Sequence, residues 1–291
     1  MIMDATAVLA TACRKVGLDT TDATLIRAGE NTLYRLPNGV VARVTRPGQV
    51  AAARKEVRVS RWLTEQGVPV VEALINIEQP VSVGDRAVTF WRELPDHRPG
   101  TLTELADLLR QLHALPPPGM ELPTLEPFVR LEPRIAESTS LPAADRDWLL
   151  NRLADLQRQY VDLPSGRPWC AIHGDAWEGN VAVTSSGPVL LDLERFAHGP
   201  PEWDLAAVAV ERTTFGSVTA QEWTGFCERY GQDVTAWSGF TVLRDIRELR
   251  KVTFAWQLAA DRPDIAEQAR YRLACLRGEQ GPRPWGWTGV P

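Results

Sequence analysis

The sequence predicts an α+β chain in two parts, a small antiparallel β-sheet at the N-terminal end and a larger, mainly helical remainder. Three observations predict it. Residues 24–44 read as three short strands joined at Gly29 and at Asn38-Gly39. From Leu102 onward, apolar residues recur mostly three and four positions apart, the spacing of one helix face. Between them, Glu93-Leu-Pro-Asp-His-Arg-Pro-Gly100 interrupts regular structure twice with proline. The junction is expected at about residues 91–100, giving parts of 1–94 and 95–291.

Ala5 to Val16 reads as an amphipathic helix, with Asp4 or Thr6 as N-cap and Gly17 as stop. The Asn38-Gly39 pair is a strong hairpin signal, and it leads into the β-branched run Val40-Val-Ala-Arg-Val44. Gln49 to Gln66 is a helix ended by Gly67, with Glu56, Val59 and Leu63 on its inner face. Val68 to Ile77 and Arg86 to Arg92 read as two further strands, completing a five-stranded sheet. Thr101 caps a helix over Leu102 to Leu115, which Pro116-Pro-Pro118 stops. Further helices are expected over Phe128 to Glu137, Ala143 to Tyr160, Asp204 to Thr214, Ala220 to Tyr230, Gly239 to Ala260 and Asp264 to Arg277. The tail from Gly278 to Trp287 holds too much Gly and Pro for regular structure. Its two tryptophans either pack back onto the body or project into a site.

The 291 residues carry a formal net charge of −5 and ordinary apolar and charged fractions for a soluble chain. No apolar run approaches the roughly 20 residues of a membrane helix, and the N-terminus lacks the pattern of a signal peptide. A cytoplasmic protein is expected. The four cysteines are far apart and form no CxxC, so they read as reduced thiols. Residues 1–94 hold 12 Lys or Arg against 10 Asp or Glu, and the remainder 20 against 27. A slightly basic first part suits a phosphate-rich ligand; an acidic second part suits a cationic one and argues against nucleic acid. Merely solvated acidic helices explain the second imbalance equally well. No internal repeat is present, and the oligomeric state stays open.

The chemistry concentrates in Ala171-Ile-His-Gly-Asp-Ala-Trp-Glu-Gly-Asn180 and Val189-Leu-Leu-Asp-Leu-Glu194. A carboxylate, Asp175, follows a strand-like run. Asn180 comes five residues later, and Asp192 ends the next apolar run. This is the layout of a kinase catalytic loop: the first Asp orients a hydroxyl and takes its proton, and the Asn and later Asp hold Mg²⁺ on the nucleotide phosphates. Oxygen ligands suit Mg²⁺, which keeps waters and borrows phosphate oxygens. The pattern His173-Gly174-Asp175-x-x-x-x-Asn180, then Asp192-Leu193-Glu194, resembles the aminoglycoside phosphotransferase and choline-kinase-like family of small-molecule kinases. Leu109-x-x-Leu-His-x-Leu115 and Gly199-Pro-Pro-Glu-Trp-Asp-Leu-Ala206 resemble further segments of that family.

The resemblance covers nearly the whole chain and implies a bilobal protein-kinase-like fold. It implies transfer of the γ-phosphoryl group of ATP, or GTP, to a hydroxyl of a small and possibly cationic molecule. Asp175 would be the base, and Asn180 and Asp192 the Mg²⁺ ligands. Gly29 and Asn31 would lie over the phosphates in the first hairpin. Arg43, where the family has Lys, would pair with Glu56 at the phosphates; Arg is not equivalent to Lys in reach or geometry. The backbone at Trp91, Glu93 and Leu94 would face the base. His173 and Asp204 would support the loop, with His113 as a buried strut. Glu194 would either touch a second Mg²⁺ or brace the loop. Trp177, Glu211, Trp256 and Asp261 are candidates for the acceptor pocket. The alternatives are a non-catalytic nucleotide-binding module, a choline or amino-alcohol kinase and, less favoured because no D-F-G or A-P-E segment is present, a protein kinase.

Overall fold

A computed structural model describes residues 4–260 and 262–290. The chain divides into two compact units, residues 1–122 with 178–196, and residues 123–177 with 197–291. This differs from the 1–94 and 95–291 division expected at the junction. Residues 95–122 and 178–196 pack with the sheet unit, so Asp175 belongs to one unit and Asn180 and Asp192 to the other.

The first unit opens with helix α1 (Ala5–Val16), closed by Gly17 in the left-handed conformation. Strands β1 (Thr24–Ala28), β2 (Thr32–Leu36) and β3 (Val40–Val44) form the expected meander. Helix α2 (Val50–Glu65) follows, then β4 (Val81–Val83) and β5 (Arg86–Arg92). The five-stranded sheet runs β1-β2-β3-β5-β4. Period-two alternation divides β3. Val40, Ala42 and Val44 join the core under α1, while Val41 packs on the opposite face with Val57 of α2, Ala73 and Trp91. Arg43 shares the parity of Val41 and is thereby aimed at α2.

The expected strand over Val68 to Ile77 does not form. The segment makes only isolated bridges, at Val70 to Leu190 and at Ala73 to Trp91. Pro69 supplies no N–H, and the tight turn at Gly84-Asp85 pairs Arg86 with Val83, so β4 takes the fifth place. The proline-rich junction carries order the sequence did not suggest: β6 (Arg98–Pro99) pairs with β8 (Val181–Thr184), which pairs with β9 (Gly187–Leu190). Helix α3 (Leu102–His113) starts with a complete capping box between Thr101 and Glu104.

The second unit is largely helical: α4 (Leu131–Ala136), α5 (Ala143–Val161), α6 (Glu202–Val210), α7 (Ala220–Tyr230), α8 (Phe240–Ala259) and α9 (Pro263–Leu276). A π-helical turn, Glu211–Phe215, extends α6. Strands β7 (Cys170–Ile172) and β10 (Ala197–Gly199) pair antiparallel and lead into the catalytic-type loop and α6. The tail packs back: Trp285 and Trp287 are buried and their rings stack at 5.5 Å. Among the described residues no helix is long and apolar enough to cross a membrane.

Gly100 ties β8 to α3. Its N–H donates to Val181 O at 2.9 Å, and an added Cβ would lie 2.5 Å from Val181 Cβ. Gly100→Ala is therefore expected to destabilise the fold by about 1–3 kcal/mol through overpacking next to Asn180. Denaturant unfolding checks this, and an unchanged midpoint would contradict it.

Candidate active site

In the second unit, β7 delivers His173, Gly174 and Asp175. His173 is completely buried. Its N–H and that of Gly174 donate to the Oδ2 and Oδ1 of Asp204, at 2.7 and 2.8 Å. Gly174 has φ +84, a left-handed conformation that glycine adopts without steric cost. Its carbonyl accepts from Trp203 Nε1 at 3.1 Å. The loop is held through its backbone, and Asp175 at its end is exposed.

Arg247 is a site residue that the motif reading misses. This α8 residue is buried, lies 4.1 Å from the Trp203 ring and donates to Trp203 O at 2.8 Å and, at the limit of 3.5 Å, to Gly174 O. Burial pushes its pKa down, and the charges of Asp175, Asp204 and Glu211 push it back up. The signal was a cation within an otherwise apolar stripe, one turn after Leu243 and next to Ile246.

In the first unit, Arg43 meets Glu56 fork to fork: Nη1 donates to Oε1 at 2.9 Å, and Nη2 to Oε2. Their side chains are only 14% and 4% exposed, and the guanidinium lies 5.7 Å from the Trp91 ring. Burial lowers the Arg43 pKa, opposed by Glu194 and Asp192. A guanidinium stays charged in proteins, so the pocket keeps a fixed cation. An open cleft is lined by Arg43, Glu56, Asn31, Glu30, Arg46 and Glu194, with further residues of the same unit. Gly29 itself is not among its lining.

β9 ends before Asp192, which is exposed and carries φ +54, rare for a residue with a side chain. Asn180 is buried, and its carbonyl accepts from Leu191 N at 2.9 Å. A second residue unforeseen in its role, Lys55, donates to the carbonyls of Glu194 and Phe196 at 2.7 and 2.9 Å, pinning the turn after Asp192 to α2. Asn180 and Asp192 present amide and carboxylate oxygens, the hard donors Mg²⁺ takes. No cluster of three or more His, Cys, Asp or Glu suited to a metal occurs among the described residues. That donor set fits an ion completed by phosphate oxygens and water.

The other expected positions are placed as follows. Trp91 is core, its Nε1 donating to Thr89 Oγ1 at 2.9 Å. The N–H of Glu93 is given to Gly39 O at 2.8 Å, and its carboxylate to Arg35. Trp177 is 49% exposed, whereas Trp256 is buried at 4%. Glu211 pairs with Lys251 at 3.3 Å. Asp261 lies outside the described residues.

The family model of the phosphotransferase enzymes (APH) matches residues 23–249. The chain belongs to that family. It is by membership a small-molecule kinase with the protein-kinase-like fold. An amicoumacin kinase solved with AMP-PNP and Ca²⁺ superposes with a TM-score of 0.71 at 13% identity, covering 94% of each chain. A choline/ethanolamine kinase family protein from Mesorhizobium loti gives 0.65 at 18% identity, over 95% of this chain and 96% of its own. An aminoglycoside phosphotransferase from Streptomyces rimosus gives 0.63 at 22%, over 84% and 99%. No curated protein matches the chain by sequence.

Asp204→Ala would leave the His173 and Gly174 N–H groups without their acceptor. At about 1–3 kcal/mol for each orphaned group, the phosphotransferase is expected to lose about 2–6 kcal/mol of stability, read from denaturant unfolding. Asp204→Asn, which keeps one acceptor, should lose less; equal losses would argue against this brace.

Proposed function

We propose that the chain moves the γ-phosphoryl group of ATP, or GTP, onto a hydroxyl of a small molecule, with Asp175 as base. The observation that carries this is the contrast within one loop. His173 and Gly174 are fixed by Asp204, and the carboxylate next to them is left exposed. A positioned base of this kind accepts the proton of the attacking hydroxyl and holds its oxygen in line. Asn180 and Asp192 would hold Mg²⁺, which when bound neutralises charge on the phosphates. Arg43, fixed by Glu56, carries standing positive charge at the nucleotide pocket, and Asn31 borders it. The backbone of Leu94 would meet the base, and residues 91–100 would serve as hinge between functional lobes of 1–94 and 95–291. A cytoplasmic setting goes with the use of ATP.

For the acceptor, the neighbours include an amicoumacin kinase, an aminoglycoside phosphotransferase and a choline/ethanolamine kinase family protein. The proposed class is a hydroxylated ring compound or amino alcohol, such as an aminoglycoside-like antibiotic, sugar or amino sugar. Trp177 is the exposed aromatic face adjoining the loop. Sugar rings pack on such faces. A nucleotide-binding module without turnover is favoured by one observation, the commitment of the Arg43 fork to Glu56.

An ADP-release screen against aminoglycosides, sugars and amino alcohols separates these readings. Turnover with one acceptor class is expected. MgATP binding without acceptor-dependent ADP release would leave the binding module. With the acceptor found, Asp175→Asn should keep nucleotide affinity and lose about 10²–10⁴-fold in kcat, the usual contribution of a general base. Retained kcat would remove Asp175 from that role.

A further inference from the structure

The pocket of the first unit holds a second guanidinium that neither the sequence pattern nor the proposed chemistry uses. A lysine at position 43 would give one N–H to Glu56 and keep two for phosphate oxygens. Arg43 instead spends one donor of each Nη on Glu56. Its Nε is buried without a hydrogen-bond partner, and its side chain is 14% exposed. Its charge is fixed at the pocket wall with little freedom to follow a ligand.

Arg46 is placed differently. It follows β3, lines the same cleft and is 34% exposed. Its Nη1 lies 3.5 Å from Glu30 Oε1, and the Glu30 side chain is 68% exposed. An exposed pair of that kind is weak in water, so the cation is readily released. The register explains the meeting. Thr32 pairs with Val44 and Ala28 with Thr32, so the Gly29–Asn31 hairpin tip stands level with residues 45 and 46. An added Cβ at Gly29 would make only ordinary contacts, at 3.8 Å or more, and its φ is not left-handed.

We propose that Arg46 is the cation that meets the terminal phosphates of the nucleotide, with Glu30 as its resting counter-ion. This rests on the kinase reading above. When a polyphosphate enters, Arg46 exchanges the Glu30 carboxylate for phosphate oxygens, and Glu30, repelled by the same charge, turns to solvent. The positive charge offered to the phosphates is thereby divided between Arg43, which is static, and Arg46, which moves.

The test is a calorimetric titration of the full chain with MgATP and with AMP. Arg46→Gln should weaken MgATP binding by about tenfold, the loss of one charge-assisted hydrogen bond, and leave AMP within about twofold. Arg46→Lys should restore most of the loss. Glu30→Gln should tighten MgATP severalfold, since the competing carboxylate is gone. MgATP affinity unchanged in Arg46→Gln, or an equal loss for AMP, would overturn the assignment. A wild-type chain that binds neither MgATP nor MgGTP would instead remove the kinase reading and this inference with it.

Discussion

The loop that carries Asp175 is braced by one buried carboxylate, that of Asp204. Asp204 is fully buried, and a lone buried charge is expensive. Three features offset that cost. Two backbone N–H groups donate to it at 2.7 and 2.8 Å. It lies in the first turn of α6, where the helix dipole favours an anion. The guanidinium of Arg247, itself buried, supplies opposite charge in its surroundings. Arg247 in turn is settled on the face of Trp203 and on two carbonyls. Each member of this set would be unfavourable alone, and together they fix the backbone up to Gly174. Asp175 can then be exposed and still be positioned.

The first unit solves the same problem with different residues. Asp192 is exposed and left-handed, a conformation that the surrounding structure must impose. The turn after it is pinned by Lys55 through two carbonyls, and β9 before it is tied to Pro69 and Val71. Arg43 and Glu56 join β3 to α2, the helix that carries Lys55. In both units a buried polar brace sits beside an exposed acid. Preorganisation of that type lets charge be stabilised without reorganisation at the moment of reaction.

What the sequence made legible was local. Asp175, Asn180 and Asp192 stand out because their spacing is set by one strand-loop-strand passage, and β1 to β3 because Asn38-Gly39 fixes the turn between β2 and β3. Glu56 was legible because helix periodicity put it beside Val59 and Leu63, and all three are buried. What failed was whatever depended on distant partners. Val68 to Ile77 has strand composition but no neighbouring strand to pair with over its length. Lys55 and Arg247 look like surface cations until the carbonyls they serve, many residues away in sequence, are brought to them. Trp256 had a ring suited to binding, and packing consumed it. The proline-rich junction read as irregular because a two-residue strand has no periodicity to detect.

The charge balance shows where composition misleads about the acceptor. Residues 95–291 hold 20 cations against 27 acids, which taken alone suggests a cationic acceptor. Several of these acids are already answered inside the helical unit. Glu211 faces Lys251 at 3.3 Å. Glu248 is fully buried and accepts from Arg283 at 2.6 and 2.8 Å and from Thr214 at 2.6 Å. Asp245 is shared by Arg152 and Arg244, and Asp204 is spent on the loop. Such paired acids exert little field on a ligand. Net charge is therefore a poor guide to the acceptor; under the proposed function, recognition would rest more on shape, and Trp177, exposed two residues beyond Asp175, would offer an aromatic face.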